Sequence, residues 1–343
     1  MEKCKAVFYV DADRLTVKQW VEKWLEVYAK PSVRANTFLS YETMAKNHII
    51  PLLGFIKLLK LQPIHIQQMV NEIIAKGGSP RLAEYVFSIL RIAIRQAVND
   101  QLLLRAPTAS VSLPRKQKNE IEPLKTEEWD KLLTTAQKSP DMYTALLLEW
   151  ASGLRRGELL GLRWSDVNFN AGTIDIARAV IITDRQPMLA EPKTLTSYRR
   201  LPLPVTVMDE LRQHKTRQTA ERLKAGEWQD QNLIFPTNTG GLQDPRNWSK
   251  KYARIITEAG LRHINFHVLR HDHASRMVDN NVPLKDAQYR MGHSSARMLL
   301  DVYSHRVDGG QEKISAWLTA TTPAAALNHS ENIPPKQKIV KAK

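Results

Sequence analysis

The stretch Ser152-Gly153-Leu154-Arg155-Arg156-Gly157-Glu158 lies near the middle of the 343-residue chain, between a predicted helix and a group of predicted strands. Gly153 permits a tight exit from that helix, because a residue without a Cβ readily adopts left-handed backbone angles. Arg155 and Glu158 are three positions apart, so they face the same side of a short helix. A pair with this spacing is usually a surface ion pair, and it indicates a site only together with other clusters.

Three further clusters follow in the second half of the chain. Lys193 follows a proline in a predicted turn between strands, where a lysine is usually exposed to solvent. His267 and Arg270 are one helical turn apart, so both can point at one anion. His293 and Tyr303 come last, ten positions apart. Taken singly, none of these clusters predicts a function.

The histidines permit a rival interpretation, which is a zinc site formed by His267, His271 and His273. The first two have the spacing of metal ligands on one face of a helix. However, the sequence contains no HExxH motif and no nearby cysteine, and His273 points to another side of the helix. An anion site is the preferred interpretation.

Together the clusters supply two arginines, a lysine, two histidines and a late tyrosine. The non-bridging oxygens of a phosphodiester gain charge during attack, and arginine stabilises phosphate with paired hydrogen bonds. A tyrosine can attack phosphorus and keep it as a phosphoester, which preserves the bond energy for rejoining. Lysine can protonate the leaving oxygen, and histidine can assist. The set predicts phosphoryl transfer without a metal or another cofactor.

The charge of the chain agrees with a nucleic-acid partner. Its 50 lysines and arginines exceed its 35 aspartates and glutamates, which gives a formal net charge of +15. Such side chains displace counterions from a polyanion, so DNA is the leading partner and an anionic membrane surface is the alternative. No long apolar run or basic amphipathic anchor helix is present, which argues against a membrane. Cys4 is the only cysteine, and a reducing, cytoplasmic location fits.

Composition and hydrophobic periodicity divide the chain into five parts. Residues 1–14 form a short N-terminal remnant, and residues 15–112 have the helical periodicity of a small helical domain. Residues 113–123 are polar and bounded by prolines, as expected of a linker. Residues 124–319 mix predicted helices with short strands, and residues 320–343 have the composition of a disordered basic tail. The predicted fold class is mainly α with a small β-sheet (α+β).

Capping signals and hydrophobic spacing locate the individual elements. In the first domain, helices are predicted from Thr16, over about Ala35–Asn47, after Pro63, and from Ser79 to about Asp100. In the second domain, helices are predicted from Thr126 and over about Met142–Ala151, Pro245–Ala259, Phe266–Asp279, Pro283–Met291, Ser294–Tyr303 and Gly309–Thr319. Strands are predicted over Thr173–Ile176, Val180–Thr183 and Tyr198–Leu203.

The ordered set of motifs closely resembles the tyrosine recombinases, the integrases of temperate phages and conjugative transposons. The matching stretches are GLRRGEL at 153–159, PKT at 192–194, HVLRH at 267–271, GHSS at 292–295 and DVYSH at 301–305. The likeness covers about residues 15–318. It implies a helical core-binding domain and a mixed catalytic domain that close around DNA as a C-shaped clamp.

The resemblance implies roles for individual residues. Arg155 and Arg270 would clamp the scissile phosphate, and Glu158 would brace the arginine region without taking part in the chemistry. Lys193 would be the general acid, on a β-hairpin that touches the DNA. The remaining catalytic residues would be His267 and His293, which complete the pocket, and Tyr303, the nucleophile that forms a 3′-phosphotyrosine.

The resemblance also implies an assembly. Four protomers would pair two double-stranded DNA sites and exchange strands through a Holliday junction, in the bacterial cytoplasm at the nucleoid. An excisionase or a DNA-bending protein could assist, and no membrane partner is expected. The expected function is integration and excision of a mobile element.

Three alternatives remain open from the sequence, and a fourth is disfavoured. A chromosome-dimer resolvase has the same catalytic motifs, and a type IB topoisomerase has the same pocket but needs no second DNA site. A catalytically silent DNA-binding regulator would not need its tyrosine. A metal-dependent nuclease needs a carboxylate cluster, which this sequence lacks.

The sequence departs from the family pattern at a few positions. Ser152 stands where threonine is frequent, Asp272 where a small polar residue is frequent, and Met298-Leu299 where threonine is common. None of these departures removes a catalytic group, so they concern local packing. Residues 1–14 are too short for the N-terminal arm-binding domain of many integrases, which predicts a simple recombinase or a shortened chain.

Overall fold

The computed structural model describes residues 14–115, 122–183, 186–191 and 198–293. Two compact units divide near residue 120, and residues 182–188 group with the first unit. The described residues are mainly helical with two small sheets, which confirms the predicted fold class. Among them, no helix combines the length and the apolar character needed to cross a membrane.

The first unit is helical. Its helices are α1 (Val17–Trp24), α2 (Lys30–Ser32), α3 (Ala35–Met44), α4 (Ile50–Leu53), α5 (Pro63–Ala75) and α6 (Pro80–Asn99). Five-residue π-helical turns continue α1 into α2 and α3 into α4. At the start of α1, Thr16 and Gln19 exchange the hydrogen bonds of the predicted capping box. The indole of Trp20 donates to the carbonyl of Ala93 in α6 (2.9 Å), and the apolar faces of the helices enclose one core.

The second unit contains further helices and the whole of one sheet, whereas the other sheet includes residues that group with the first unit. Its helices are α7 (Thr126–Ala136), α8 (Pro140–Ser152), α9 (Arg156–Leu160), α10 (Val205–Lys224), α11 (Pro245–Glu258), α12 (Phe266–Asp279) and α13 (Leu284–Met291). Helix α8 packs against α7, α10 and α12, so its C-terminal end lies inside the unit. The functional residues described below gather around this end.

The strands form two small sheets. They are β1 (Val167–Asn168), β2 (Thr173–Ile176), β3 (Ala179–Thr183), β4 (Gln186–Ala190) and β5 (Arg199–Pro202). One sheet has the order β1-β2-β5, with Ile174 opposite Leu201, and β3 pairs with β4 in the other. In β5, Arg199 and Leu201 point into the unit, while Arg200 and Pro202 face solvent.

Most predicted elements are confirmed, and the prediction misses the short elements α2, α4 and β1 as well as two longer ones. The structure contains the predicted helices that correspond to α1, α3, α5 to α8 and α11 to α13, and the strands β2, β3 and β5. The sequence analysis does not predict α10 or β4. Most of the 20 residues of α10 face solvent, and its buried positions, Val207, Met208, Leu211 and His214, make too short a stripe to predict a helix. The helices predicted over 294–303 and 309–319, and the tail at 320–343, lie outside the described residues.

Candidate active site

Arg155 and Glu158 lie where α8 ends and α9 begins. Gly153 terminates α8 in left-handed backbone angles (φ 60°), as the sequence predicts. Arg155 Nη1 donates to Glu158 Oε1 (2.7 Å), and the Arg155 backbone N–H donates to Oε2 (3.0 Å). Arg155 Nη2 donates to the carbonyl of Gly292, just after α13 (2.9 Å). Arg155 is thus fixed at both ends of its guanidinium, while 39% of its side chain stays exposed.

Glu158 is shared with a second arginine, which the sequence analysis does not identify as a site residue. Arg199 in β5 has a fully buried side chain and donates to Glu158 Oε2 (2.8 Å) and to the carbonyl of Arg290 (2.8 Å). Burial alone would raise the pKa of Glu158. The hydrogen bond and charge of Arg199, followed by those of Arg155, lower that pKa to about 2. Glu158 is therefore a carboxylate at neutral pH and orients both arginines.

Glu158→Gln is expected to lower the free energy of unfolding at pH 7 by about 3 kcal/mol, because it leaves buried arginine charge uncompensated. A carboxyl whose pKa is lowered stabilises the fold above its usual pKa of 4.5, and this contribution is lost as the pH falls towards about 2. The difference between wild type and variant should therefore shrink at low pH. Urea unfolding of both proteins at pH 7 and pH 3 measures it, and an equal difference at the two pH values would contradict the assignment.

Arg270 lies between the C-terminal ends of two helices. Its Nη1 donates to the carbonyl of Gly153 after α8 (2.7 Å), and its Nη2 donates to the carbonyl of Met291 at the end of α13. Carbonyls at a helix C-terminus form the negative end of the helix dipole, so they stabilise a cation. Burial, followed by the charge of Arg155, lowers the pKa of Arg270 to about 9, so it remains cationic at neutral pH.

Two other side chains, those of Arg290 and His273, form hydrogen bonds with carbonyls near the C-terminal end of α8. Arg290 Nη2 donates to the carbonyl of Ala151 (2.6 Å). The ring of His273 bonds the carbonyl of Trp150 through Nδ1 (2.9 Å) and accepts from Arg290 Nε at Nε2 (3.2 Å). Both ring nitrogens of His273 are thus engaged in the fold, and the zinc interpretation is wrong for this residue. In the described part of the chain, no group of histidine, cysteine and carboxylate side chains is arranged to hold a metal ion.

His267 and His293 border the two arginines. His267 is in the first turn of α12 and exposed, whereas His293 follows α13 and is 6% exposed. Burial, followed by the neighbouring positive groups, lowers the pKa of each to about 4. His293 Nδ1 is buried and has no hydrogen-bond partner among the described residues. Both rings are neutral at pH 7, so each can donate one hydrogen bond and accept another.

Gly292 lies between Met291 and His293, at a position that fits only a residue without a side chain. Its φ is 60°, and a Cβ built there would lie 2.6 Å from Arg199 Nη1 and 3.3 Å from Arg199 Nε. Gly292→Ala is therefore expected to combine left-handed strain, about 1–2 kcal/mol, with overpacking, about 1–3 kcal/mol. Chemical unfolding of the wild type and the variant measures the combined loss in the free energy of unfolding.

Gly260→Ala is the matched control for Gly292→Ala. Gly260 follows α11 with a φ of 64°, and nothing lies within 4 Å of a Cβ built there. The control should show the left-handed strain alone, so Gly292→Ala should lose more stability than Gly260→Ala. Equal losses would mean that Arg199 moves aside freely, which its buried hydrogen bonds contradict.

A cavity of about 600 Å³ opens beside Arg155 and His267. Arg156, Lys250 and His263 also line it, so its walls combine basic side chains with apolar ones. A concave basic surface concentrates positive potential and attracts polyanions. The exposed part of Arg155 therefore faces a region suited to a nucleic-acid backbone.

The structure brings five of the predicted site residues into one region and does not describe the other two. Arg155, Glu158, Arg270 and His293 lie at the ends of α8 and α13, with His267 beside them on α12. Lys193 and Tyr303 lie outside the described residues. The described residues stop at Glu191 and resume at Tyr198, so the hairpin that the resemblance implies for Lys193 stays a prediction.

Two of the departures from the family pattern have local structural explanations. Asp272 is fully buried and accepts hydrogen bonds from the Leu124 N–H (3.1 Å), the Trp129 indole (3.0 Å) and Arg276 Nε (2.9 Å). It thereby joins α12 to the start of α7. The hydroxyl of Ser152 donates to the carbonyl of Leu148 in its own helix (2.6 Å). Both positions concern packing, as the sequence predicts.

Comparison with known families matches both units. Residues 122–309 match the phage integrase family, and residues 16–74 match the phage integrase N-terminal SAM-like domain. A tyrosine recombinase XerC-like protein of Caldanaerobacter subterraneus subsp. tengcongensis is 29% identical over 317 residues, which cover 86% of this chain and 81% of the relative. The ICEBs1 integrase of Bacillus subtilis is 22% identical, over 84% of this chain and 78% of the relative.

Solved structures share the fold. The Tn1549 transposon integrase in complex with a circular intermediate DNA has a TM-score of 0.77 and 20% identity, over 88% of this chain and 99% of that chain. A lambda integrase tetramer bound to a Holliday junction has a TM-score of 0.65 and 20% identity, over 84% of this chain and 77% of that one.

The fold and the sequence relatives define a tyrosine-type site-specific recombinase, an enzyme that cleaves and rejoins DNA strands. Within that class, the chain belongs to the phage integrase family.

Proposed function

We propose that this enzyme integrates and excises a mobile element by cutting and rejoining DNA through a 3′-phosphotyrosine at Tyr303, without a metal. The observation that supports this most is the convergence of two arginines. Arg155 and Arg270 donate to the consecutive carbonyls of Gly292 and Met291, directly before His293. Two fixed guanidiniums at one point suit a single phosphate whose charge grows during attack.

The neighbouring groups complete the proposed chemistry. Glu158 holds Arg155 in place and takes no part in proton transfer, because its low pKa keeps it ionised. His267 and His293 are neutral at pH 7 and can hydrogen-bond the phosphate or relay a proton. In this proposal Lys193 protonates the leaving 5′-oxygen as Tyr303 bonds to phosphorus. Rejoining reverses the same steps with the 5′-hydroxyl of the partner strand as the nucleophile.

We further propose that four protomers pair two duplex sites and exchange strands through a Holliday junction. Among the structural neighbours, lambda integrase is a tetramer on such a junction. The basic cavity beside Arg155 and the net charge of +15 favour binding to the duplex backbone. An excisionase or a DNA-bending protein and a location at the bacterial nucleoid are part of the same proposal.

A suicide substrate tests the covalent step. The DNA comes from the ends of the element that encodes this chain and has a nick close to the cleavage position, so that the released fragment diffuses away. The full chain is incubated with it in EDTA, and a denaturing gel is stained for protein-linked DNA. Protein-linked DNA should form in EDTA at the rate seen with Mg²⁺.

Two outcomes would overturn the proposal. Firm DNA binding without any protein-linked product would favour a silent DNA-binding regulator. A product that forms and religates on single sites but never yields junctions between two paired sites would favour a topoisomerase.

A further inference from the structure

Glu149 is a buried carboxyl in α8 that the proposed chemistry does not use. Its side chain has no exposed surface, and neither carboxyl oxygen has a hydrogen-bond partner among the described residues. An ionised carboxylate is strongly disfavoured in such surroundings. Burial raises the pKa of Glu149 well above its usual value. These surroundings therefore favour the protonated, neutral form of Glu149.

Charged and titratable groups from the surrounding elements interact with this carboxyl. They are Arg270 and Arg276 of α12, Glu158 of α9, Arg199 of β5 and Tyr252 of α11. Among these groups Arg270 has the largest effect on the pKa of Glu149. Its charge lowers that pKa, but burial raises it by more. Helix α10 also packs on α8, but its Glu210 and Arg217 bond Thr144, nearer the other end of that helix.

The backbone also connects Glu149 to the arginine pocket. The carbonyl of Glu149 accepts the N–H of Gly153 (2.8 Å), and the carbonyl of Gly153 accepts Arg270 Nη1 (2.7 Å). Arg270 makes no ion pair with a carboxylate in the part of the chain that the structure describes; the hydrogen-bond acceptors of its terminal nitrogens are carbonyls. The carboxylate of Glu158 already acts on Arg270, and ionisation of Glu149 would add a second negative charge that balances Arg270 from inside the protein.

We propose that Glu149 is a positioning residue that sets the charge of the arginine pocket: as a neutral acid it leaves the charge of Arg270 available to the scissile phosphate, and as a carboxylate it balances that charge. The inference rests on the proposed function, because the phosphate is the ligand that Arg270 would hold. It also implies linkage. A phosphate bound at Arg270 disfavours the carboxylate of Glu149, so binding of DNA at high pH should be accompanied by uptake of a proton.

The test compares the wild type with Glu149→Gln, which is neutral at every pH and has nearly the same shape. Single-turnover cleavage of the suicide substrate is measured between pH 6 and pH 10. The ratio of the variant rate to the wild-type rate cancels the titration of groups that both proteins share. We expect this ratio to rise at least tenfold across the range, because only the wild type acquires the carboxylate.

Two further variants make the result specific. Glu149→Met is neutral without adding a polar atom, and it should give the same pH-dependent ratio even if the amide of the Gln variant packs poorly. Glu210→Gln removes a carboxylate elsewhere in the same unit, beside Arg217, and its ratio to wild type should stay flat with pH. A flat ratio for both Glu149 variants would overturn the inference, since a purely structural role would change rate or stability at all pH values alike.

Binding measurements separate failure of this inference from failure of the proposed function. The affinity for uncleaved, fluorescently labelled site DNA is measured for the wild type and Glu149→Gln over the same pH range. If no covalent product forms, the proposed function fails, yet a pH-dependent affinity ratio would still support the role of Glu149. If covalent product forms and both ratios are flat, only the inference about Glu149 fails.

Discussion

Tyr303→Phe is expected to abolish the protein-linked DNA product while leaving affinity for the DNA site within about threefold of wild type. When catalytic residues act as a unit, removing the nucleophile slows the reaction by a factor on the order of 10⁴ or more. Phenylalanine has no oxygen to attack phosphorus, but it keeps the ring and therefore the packing. The measurement is single-turnover cleavage of the suicide substrate on a denaturing gel, with binding followed by a mobility shift.

Tyr289→Phe is the matched control for this experiment. Tyr289 is 55% exposed in α13, and its hydroxyl accepts the N–H of Arg200 (3.2 Å). Loss of this hydroxyl should change cleavage by less than about threefold, since an exposed neutral hydrogen bond contributes about 0.5–1.5 kcal/mol at most. A covalent product that persists in Tyr303→Phe would show that another residue is the nucleophile.

Periodicity and capping predict most of the helices because these signals are local. The capping box of Thr16 and Gln19 and the long apolar stripe of α6 both depend on residues within a few turns of each other. Helix α10 is the exception. Few of its side chains are buried, so tertiary packing and not its own pattern places it.

The candidate site is predicted in part, because residue types indicate chemistry but not packing. The five predicted residues that the structure describes do lie in one region. Arg199 is missed because it stands beside a second arginine in a predicted strand, where a charged side chain is expected to face solvent. The alternation of β5 offers a signal: Leu201 is buried, so Arg199, two positions earlier, must point the same way.

The electrostatic state of the site could not be predicted from the sequence. The low pKa of His293 comes from burial and from Arg270 and Arg155, which are distant from it in the chain. The raised pKa of Glu149 likewise depends on burial by the elements that pack around α8. Long-range packing of this kind leaves no mark on local spacing, which is why α8 is predicted simply as a helix.

Arg270→Lys is expected to slow DNA cleavage about 10²-fold or more, although it keeps the positive charge. The planar guanidinium bridges the carbonyls of Gly153 and Met291 and can still present N–H groups to a phosphate. An ammonium group is a point charge on a flexible stem and cannot span two helix ends in this way. A buried carbonyl left unpaired should also lower the free energy of unfolding by about 1–3 kcal/mol.

Arg200→Lys makes the same exchange at an exposed position and isolates the effect of geometry at Arg270. Arg200 pairs with Asp175 (2.7 Å), and 67% of its side chain is exposed, so its replacement should change cleavage by less than about threefold. Single-turnover cleavage at saturating protein, with urea unfolding alongside, separates the loss of rate from the loss of stability. If Arg270→Lys cleaved within tenfold of wild type, charge alone would suffice at this position. The two helix ends would then hold Arg270 for the stability of the unit, and Arg155 would have to position the phosphate.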